Sequence, residues 1–159
     1  MVKTEDTKAL LNQYLKQLFL STMRQCYADL AVQAQQESLS YEQYLLVLAE
    51  QECITRQNNR IERNLKASKI SRDKNIDTFD LKRVPARVAH QVRSLLYGSF
   101  VDHKENILAF GNPGSGKTHL LCAIGQELIR KGRKVYFTPC SLLVQELLRA
   151  KKNWSCLGF

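Results

Sequence analysis

Glycine and proline are missing from the first part of this sequence. All seven glycines lie at or after Gly98, and the first of the three prolines is Pro85. Residues 1–84 therefore contain neither of the two strongest helix breakers. This absence favours a helical first part and places any tight turns of the chain after it.

Long apolar runs and paired cysteines are missing as well. No stretch approaches the ~20 consecutive apolar residues that a membrane-spanning helix needs, and the start Met1–Asp6 lacks the apolar core of a secretory signal. The five cysteines are an odd number and no two are three residues apart, which disfavours a disulfide framework or a zinc ribbon. We therefore expect a cytoplasmic protein with reduced thiols and no membrane partner.

Acidic residues are scarce in the second half. Residues 1–75 hold 11 basic and 9 acidic residues, whereas residues 76–159 hold 13 and 6. The formal net charge is +9, and its surplus lies where it favours a polyanionic partner such as nucleotide or nucleic acid. A basic surface without such a partner is the alternative that charge alone leaves open.

Apolar residues at helical spacing fill the glycine-free part. Two sets recur at i, i+3, i+4 and i+7, beginning at Leu11 and at Tyr41, and Ser40 with Gln43 has the spacing of a capping box. The predicted helices span about 8–20, 24–36 and 41–68. We expect residues 1–70 to form an all-helical N-terminal module, and the polar segment 71–84 to be a linker.

The second half alternates between helix-like and strand-like segments. Helices are predicted over 86–97, 117–130 and 142–151, and strands over 106–110 and 135–138. Gly98 is placed to end the first of these helices. Short connections between alternating strands and helices indicate a parallel sheet, so residues 85–159 are predicted to form an α/β domain.

Residues 111–118 match the motif G-x-x-x-x-G-K-[ST] in full. Glycines let successive backbone N–H groups point into one concavity that holds phosphate oxygens, and a helix that starts near Lys117 adds a positive end. Lys117 can reach the β- and γ-phosphates of ATP, and the Thr118 hydroxyl can ligate Mg²⁺. We predict a binding site for ATP and Mg²⁺ formed by Gly111, Asn112, Pro113, Gly114, Ser115, Gly116, Lys117, Thr118 and His119.

Residues 106–150 resemble the IstB-like transposition helper ATPases, which are AAA+ proteins of insertion sequences related to the DnaC-type helicase loaders. The phosphate loop followed by His119 and Leu120 is part of this likeness. Further segments that resemble the family are Leu39–Glu42, Arg56–Arg60, Thr78–Asp80 and Arg133–Thr138. The resemblance implies an ATP-binding protein that binds DNA without sequence specificity, assembles with further copies of itself and recruits a transposase.

The same resemblance implies parts that this sequence does not contain. The family's AAA+ domain carries an apolar strand ending in paired acids and an arginine that acts across subunits, and no apolar run here ends in two acids. We therefore expect a C-terminally truncated chain that binds ATP without hydrolysing it, and we assign no catalytic residue. Two later strands separate the two predicted ones in that family's sheet, so unpaired backbone is expected at Ile107–Phe110.

Two other functions stay open from the sequence. One is a helicase loader of the DnaC type, which differs from the first interpretation in its protein partner. The other is a non-catalytic interaction module in which the phosphate loop is a remnant. The residues specify neither a target DNA sequence nor the number of subunits.

Several side chains have both a functional and a structural interpretation. Arg56, Arg60 and Arg63 lie on one helix face and could contact DNA phosphates, but we favour pairing of Arg56 with Glu52 across one turn. The run Arg130–Lys134 fits a DNA patch and a complement to a helix dipole equally well.

Two kinds of side chain near the loop are expected to be structural. His119 is expected to pack locally and not to act in catalysis. Cys122 and Cys140 are expected to be small buried hydrophobes.

Overall fold

The computed structural model describes residues 4–155, and all regular structure in that range is helical. The α-helices are α1 (Thr4–Gln17), α2 (Ser21–Gln36), α3 (Tyr41–Ser68), α4 (Ala86–Tyr97), α5 (Ser99–Asp102), α6 (Lys117–Arg130) and α7 (Cys140–Ser155). A 3₁₀ turn spans Leu81–Arg83. No helix within residues 4–155 combines the length and apolar character that a bilayer crossing requires.

The chain divides into two compact units, one ending at Arg60 and the other beginning at Ile61. The first contains α1, α2 and most of α3, with Leu15, Ala34 and Leu48 buried. The helix start predicted at Ser40 is confirmed, since its backbone N–H donates to Gln43 Oε1 (2.8 Å) and its hydroxyl accepts from the Gln43 N–H (3.2 Å). This reciprocal pair gives acceptors to two backbone N–H groups at the N-terminus of α3, where a helix has no intrahelical acceptors.

The N-terminus of α2 is held by a carboxylate from α3. Glu52 Oε2 accepts hydrogen bonds from the backbone N–H groups of Thr22 (2.8 Å) and Met23 (3.1 Å). Its other oxygen pairs with Arg56 Nε at 2.8 Å, and Arg56 Nη2 donates to the Phe19 carbonyl at 2.7 Å. The predicted pairing of Arg56 with Glu52 is confirmed, and the carboxylate satisfies donors that the first turn of a helix leaves free.

Glu52 is only 4% exposed and its environment favours the charged form. Burial alone raises the pKa of this carboxyl, but the hydrogen bonds from Arg56, Met23 and Thr22 outweigh burial and lower the pKa below its usual value. The first unit therefore contains a buried charge that stays ionised because three donors surround it.

The core of the second unit lies around α6. Ile70, Cys122 and Ile129 form a buried cluster, against which Ile61, Leu65 and Val135 pack. α4 packs on α6 and on the 3₁₀ turn. Within α6, a Cβ added to Gly125 would lie 2.7 Å from Ile70 Cδ1, so only glycine lets residue 70 approach the helix this closely.

The helices predicted over 86–97 and 117–130 are confirmed as α4 and α6. Gly98 ends α4 with a left-handed φ of 85°, as the sequence predicts. The helix predicted over 142–151 extends further in both directions as α7, Cys140–Ser155. The short α5 was not predicted, because four residues carry too little periodicity to show one.

The predicted parallel sheet is absent from residues 4–155. Neither 106–110 nor 135–138 forms a strand there, and Leu108 and Phe110 are 77% and 88% exposed. Backbone groups of a strand must be paired to be stable away from water, and the described part of the chain offers these segments no neighbouring strand. The unpaired backbone expected at Ile107–Phe110 agrees with this finding.

The two cysteines that were expected to be buried differ. Cys122 is buried in α6, and burial raises the pKa of its thiol, while Lys74 and the Ser71 backbone act in the opposite direction. Cys140 is exposed at the start of α7, so the prediction for Cys140 was wrong. Its burial was inferred from apolar neighbours in the sequence, and those neighbours are themselves exposed in α7, namely Leu142, Leu143, Val144, Leu147 and Leu148.

Candidate phosphate-binding site

Residues 111–118 form a turn that leads directly into α6. Gly114 and Gly116 have φ angles of 80° and 84°, values in the left-handed region that residues with a Cβ rarely adopt. The Gly116 carbonyl accepts the N–H of Leu120 at 2.9 Å, so the helix begins immediately after the loop. The positive end of α6 therefore faces the loop, as binding of an anion requires.

The ammonium group of Lys117 lies within this loop. Lys117 Nζ donates to the carbonyl oxygens of Gly111 and Asn112, both at 2.8 Å, and is 3.4 Å from Ser115 Oγ. Three contacts from three residues of one turn fix the ammonium beside the first turn of α6. Because an ammonium has three N–H donors, a phosphate oxygen that binds Lys117 would replace one of these three loop oxygens.

A cavity of about 920 Å³ adjoins the loop. The loop contributes Gly111, Gly114, Ser115, Gly116 and Lys117, and apolar side chains from the 3₁₀ turn region and α4 include Val84, Val88 and Val92. This volume falls within the range of about 300–1,000 Å³ for small-molecule sites. One side of the cavity is therefore polar and cationic and another is apolar.

The structure does not bring all nine predicted residues to the cavity. Asn112, Pro113 and Thr118 are outside its lining, although the Asn112 carbonyl holds Lys117. Thr118 is exposed in the first turn of α6. No three His, Cys, Asp or Glu side chains between residues 4 and 155 group as metal ligands would. Thr118 as a Mg²⁺ ligand stays a prediction.

His119 lines the cavity, but its ring nitrogen contacts a segment that sequence analysis did not connect with the site. We call residues 71–80 the strap; they fall within the predicted linker. His119 Nε2 lies 3.0 Å from the Asn75 carbonyl and 3.2 Å from Thr78 Oγ1. Phe79 of the strap also lines the cavity, and a Cβ added to Gly116 would lie 3.0 Å from its Cε2 atom.

A second side chain of α6 holds the other end of the strap. The buried Gln126 donates through Nε2 to the carbonyls of Ser71 (2.8 Å), Lys74 (3.1 Å) and Arg72 (3.4 Å). His119 and Gln126 are polar residues seven apart in a mainly apolar helix, and therefore lie on one face. That spacing is the sequence signal that could have revealed the strap.

The basic run Arg130–Lys134 is largely engaged inside the second unit. Arg130 pairs with Glu127 and Arg133 pairs with Asp102. Lys131 Nζ donates to two carbonyls in the last turn of α4, at 2.7 and 3.1 Å. The Lys131 contacts complement the negative end of α4, and a DNA patch formed by this exposed run stays a prediction.

Comparison with known proteins places this chain in a family. The IstB-like ATP binding protein family matches residues 13–157, almost the whole chain. The chain belongs to this family. The resemblance seen in the loop and in the helical first part is thereby confirmed.

Individual relatives agree with the family assignment. The IstB-like chain is 40% identical over 146 residues to a protein of Geobacillus stearothermophilus whose name describes it as an insertion-sequence ATP-binding protein. It is 36% identical over 147 residues to a protein of Sinorhizobium fredii, and 33% identical over 125 residues to one of Pseudomonas aeruginosa, with names of the same kind.

These three alignments cover most of this chain but only part of each relative. They span 92%, 92% and 79% of the IstB-like chain, and 58%, 49% and 47% of the relatives. The chain thus spans about half the length of the curated relatives that it matches.

Proposed function

We propose that this IstB-like chain binds ATP with its triphosphate in the loop 111–118. The observation that supports the proposal is the position of Lys117, whose ammonium is held in the loop beside the positive end of α6. The cavity continues from there to the apolar side chains of Val84, Val88 and Val92. These surfaces suit the base and ribose of a nucleotide, which need an apolar wall beside a polar one.

The proposal is limited to binding. Bound ATP would bring Mg²⁺, and the exposed hydroxyl of Thr118, one residue after Lys117, is the ligand that we propose for this ion. Phosphoryl transfer to water also needs a carboxylate or amide that orients the attacking water. No apolar run of this sequence ends in paired acids, so we propose that these residues alone bind ATP and do not hydrolyse it.

Equilibrium titration of a fluorescent ATP analogue with the protein in the presence of Mg²⁺ tests this function. We expect saturable binding that both ATP and inorganic tripolyphosphate reverse, because the loop recognises phosphates. Adenosine, which has no phosphate, should displace the analogue far less effectively. Absence of saturation up to about 1 mM analogue, the upper end of ordinary substrate ranges, would contradict the proposal.

We further propose that the chain acts in transposition of an insertion sequence. The names of the relatives support this context, and the net charge of +9 favours a nucleic-acid partner. In this proposal the chain binds target DNA without sequence specificity, assembles with further copies and recruits a transposase. Residues 106–110 and 135–138 are then the strand segments of the family's P-loop sheet.

The partner separates this function from that of a DnaC-type helicase loader. The relatives' names favour the transposition helper, so tagged protein should retain the transposase of an insertion sequence in a pull-down with Mg²⁺ and ATP. The replicative helicase of the same cell, tested in parallel, should not be retained. Retention of the helicase and not of the transposase would favour the loader.

A further inference from the structure

The strap is joined to α6 through its backbone carbonyl groups. Gln126 binds the carbonyls of Ser71, Arg72 and Lys74, and His119 binds that of Asn75. Four carbonyl groups of a polar, turn-rich segment thus lie within hydrogen-bond distance of two side chains, whose three N–H donors they share. Because the two side chains are two helical turns apart, they hold the strap along α6 and not at a single point.

The partners of His119 define what its imidazole does. A carbonyl oxygen can only accept a hydrogen bond, so the Nε2 atom 3.0 Å from the Asn75 carbonyl carries the proton and donates it. Thr78 Oγ1, at 3.2 Å, is a second acceptor for the same N–H. Residues two apart in a helix leave it about 200° from each other, so His119 contacts the strap while Lys117 contacts the loop, and both line the cavity.

Phe79 links His119 to the phosphate loop. The rings of Phe79 and His119 meet edge to face, with centroids 5.3 Å apart and planes at 69°, a geometry that aromatic rings favour. Phe79 also lies close enough to Gly116 that any side chain there would touch its ring at 3.0 Å. The strap is therefore a wall of the cavity that adjoins the loop itself.

We propose that His119 is a positioning residue for the nucleotide. It holds the strap against the first turn of α6, so that Thr78 and Phe79 form the cavity wall beside the loop. The proposal rests on the ATP binding proposed above and extends it to a residue whose ring nitrogen is committed to the strap. His119 thus acts on the nucleoside part of the ligand through Phe79, whereas Lys117 acts on the phosphates.

Two substitutions of similar size test this role. The side-chain nitrogen of glutamine reaches the position of histidine Nε2, whereas that of asparagine is too short to reach the Asn75 carbonyl. We expect His119→Asn to bind ATP about tenfold more weakly, the effect of losing one part-buried hydrogen bond and its packing. His119→Gln should bind within about twofold of the wild type, since it retains the donor.

Inorganic tripolyphosphate is the second ligand in this experiment. It lacks the base and ribose that the strap would contact, so its affinity should be equal in the wild type and both variants. Circular dichroism and thermal unfolding of each variant check that α6 has formed. The contrast between glutamine and asparagine is a readout that general unfolding would not produce.

Three other outcomes would overturn the proposed role of His119. Equal loss of ATP and tripolyphosphate in His119→Asn would show that His119 contacts phosphate or acts on the loop itself. Unchanged ATP affinity in both variants would show that the strap does not contribute to binding, while leaving the proposed function intact. Failure of the wild type to bind ATP would overturn the proposed function together with the role of His119.

Discussion

Replacing Lys117 with alanine is expected to weaken ATP binding by about 10- to 100-fold. The ammonium of Lys117 is the cation held within the loop, and hydrogen bonds to charged groups contribute about 1.5–3 kcal/mol each, equivalent to one or two powers of ten in affinity. Folding should change little, because the side chain lies at the loop surface and its partners there are backbone carbonyls open to water. Titration of the fluorescent ATP analogue, paired with a thermal melt, measures both effects.

Lys134→Ala is the matched control for this experiment. Lys134 is exposed in the second unit and outside the cavity lining, so its removal subtracts the same charge at a distance from the loop. We expect its affinity for ATP to stay within about twofold of the wild type, because exposed charges are screened by salt. Equal binding by wild type and Lys117→Ala would favour the interaction module with a remnant loop.

Replacing Glu52 with glutamine is expected to destabilise the first unit by about 2–3 kcal/mol. The carboxylate accepts from the Thr22 and Met23 N–H groups and pairs with Arg56. The glutamine amide has one oxygen that accepts hydrogen bonds and one NH₂ group that only donates. It therefore leaves either the α2 N–H groups or the Arg56 guanidinium without this acceptor. Urea unfolding followed by circular dichroism measures the free energy. Glu50→Gln, an exposed position in the same helix, should change it by less than about 0.5 kcal/mol.

The lowered pKa of Glu52 also predicts an acid dependence of stability. When folding lowers a carboxyl pKa, the charged form contributes stability in full above the unfolded-state value of about 4.3. This contribution is lost as the pH falls through the folded-state pKa. The difference in stability between wild type and Glu52→Gln should therefore shrink below about pH 4. A difference that is constant with pH would show that the carboxylate charge is not what stabilises α2.

The elements that the sequence predicts well are those with local causes. Helices α4 and α6 were predicted with their observed ends because Gly98 ends the first and the glycine-rich loop precedes the second. The capping box at Ser40 and the pairing of Glu52 with Arg56 join residues three and four apart. Interactions over one helical turn leave a pattern that can be read without a structure.

Elements that depend on distant residues could not be predicted in this way. The apolar run 106–110 has the composition of a strand, but a strand also needs a neighbour, and none lies among residues 4–155. Glu52 caps a helix that begins about thirty residues earlier, a contact that no local spacing reveals. The composition of 71–84 predicted a linker, whereas the strap within it is bonded to α6 some fifty residues later.

The candidate site likewise has one part that the sequence predicts and another that depends on distant residues. The motif identified the loop, its lysine and the helix after it, because the chemistry of phosphate binding requires those residue types in that order. The part of the cavity lining that lies between Phe79 and Val92 in the sequence comes from segments outside this motif. Their role follows from the packing of α4 and the strap against α6.

The close approach of Ile70 to Gly125 has a consequence for where the loop lies. A glycine inside a helix costs about 1 kcal/mol relative to alanine, and here it leaves room for the Ile70 side chain, whose Cδ1 would lie 2.7 Å from an added Cβ. A Cβ at position 125 would require the tip of the Ile70 side chain to move. Ile70 thus packs directly on the backbone of α6, at a point about 12 Å along the helix from Lys117.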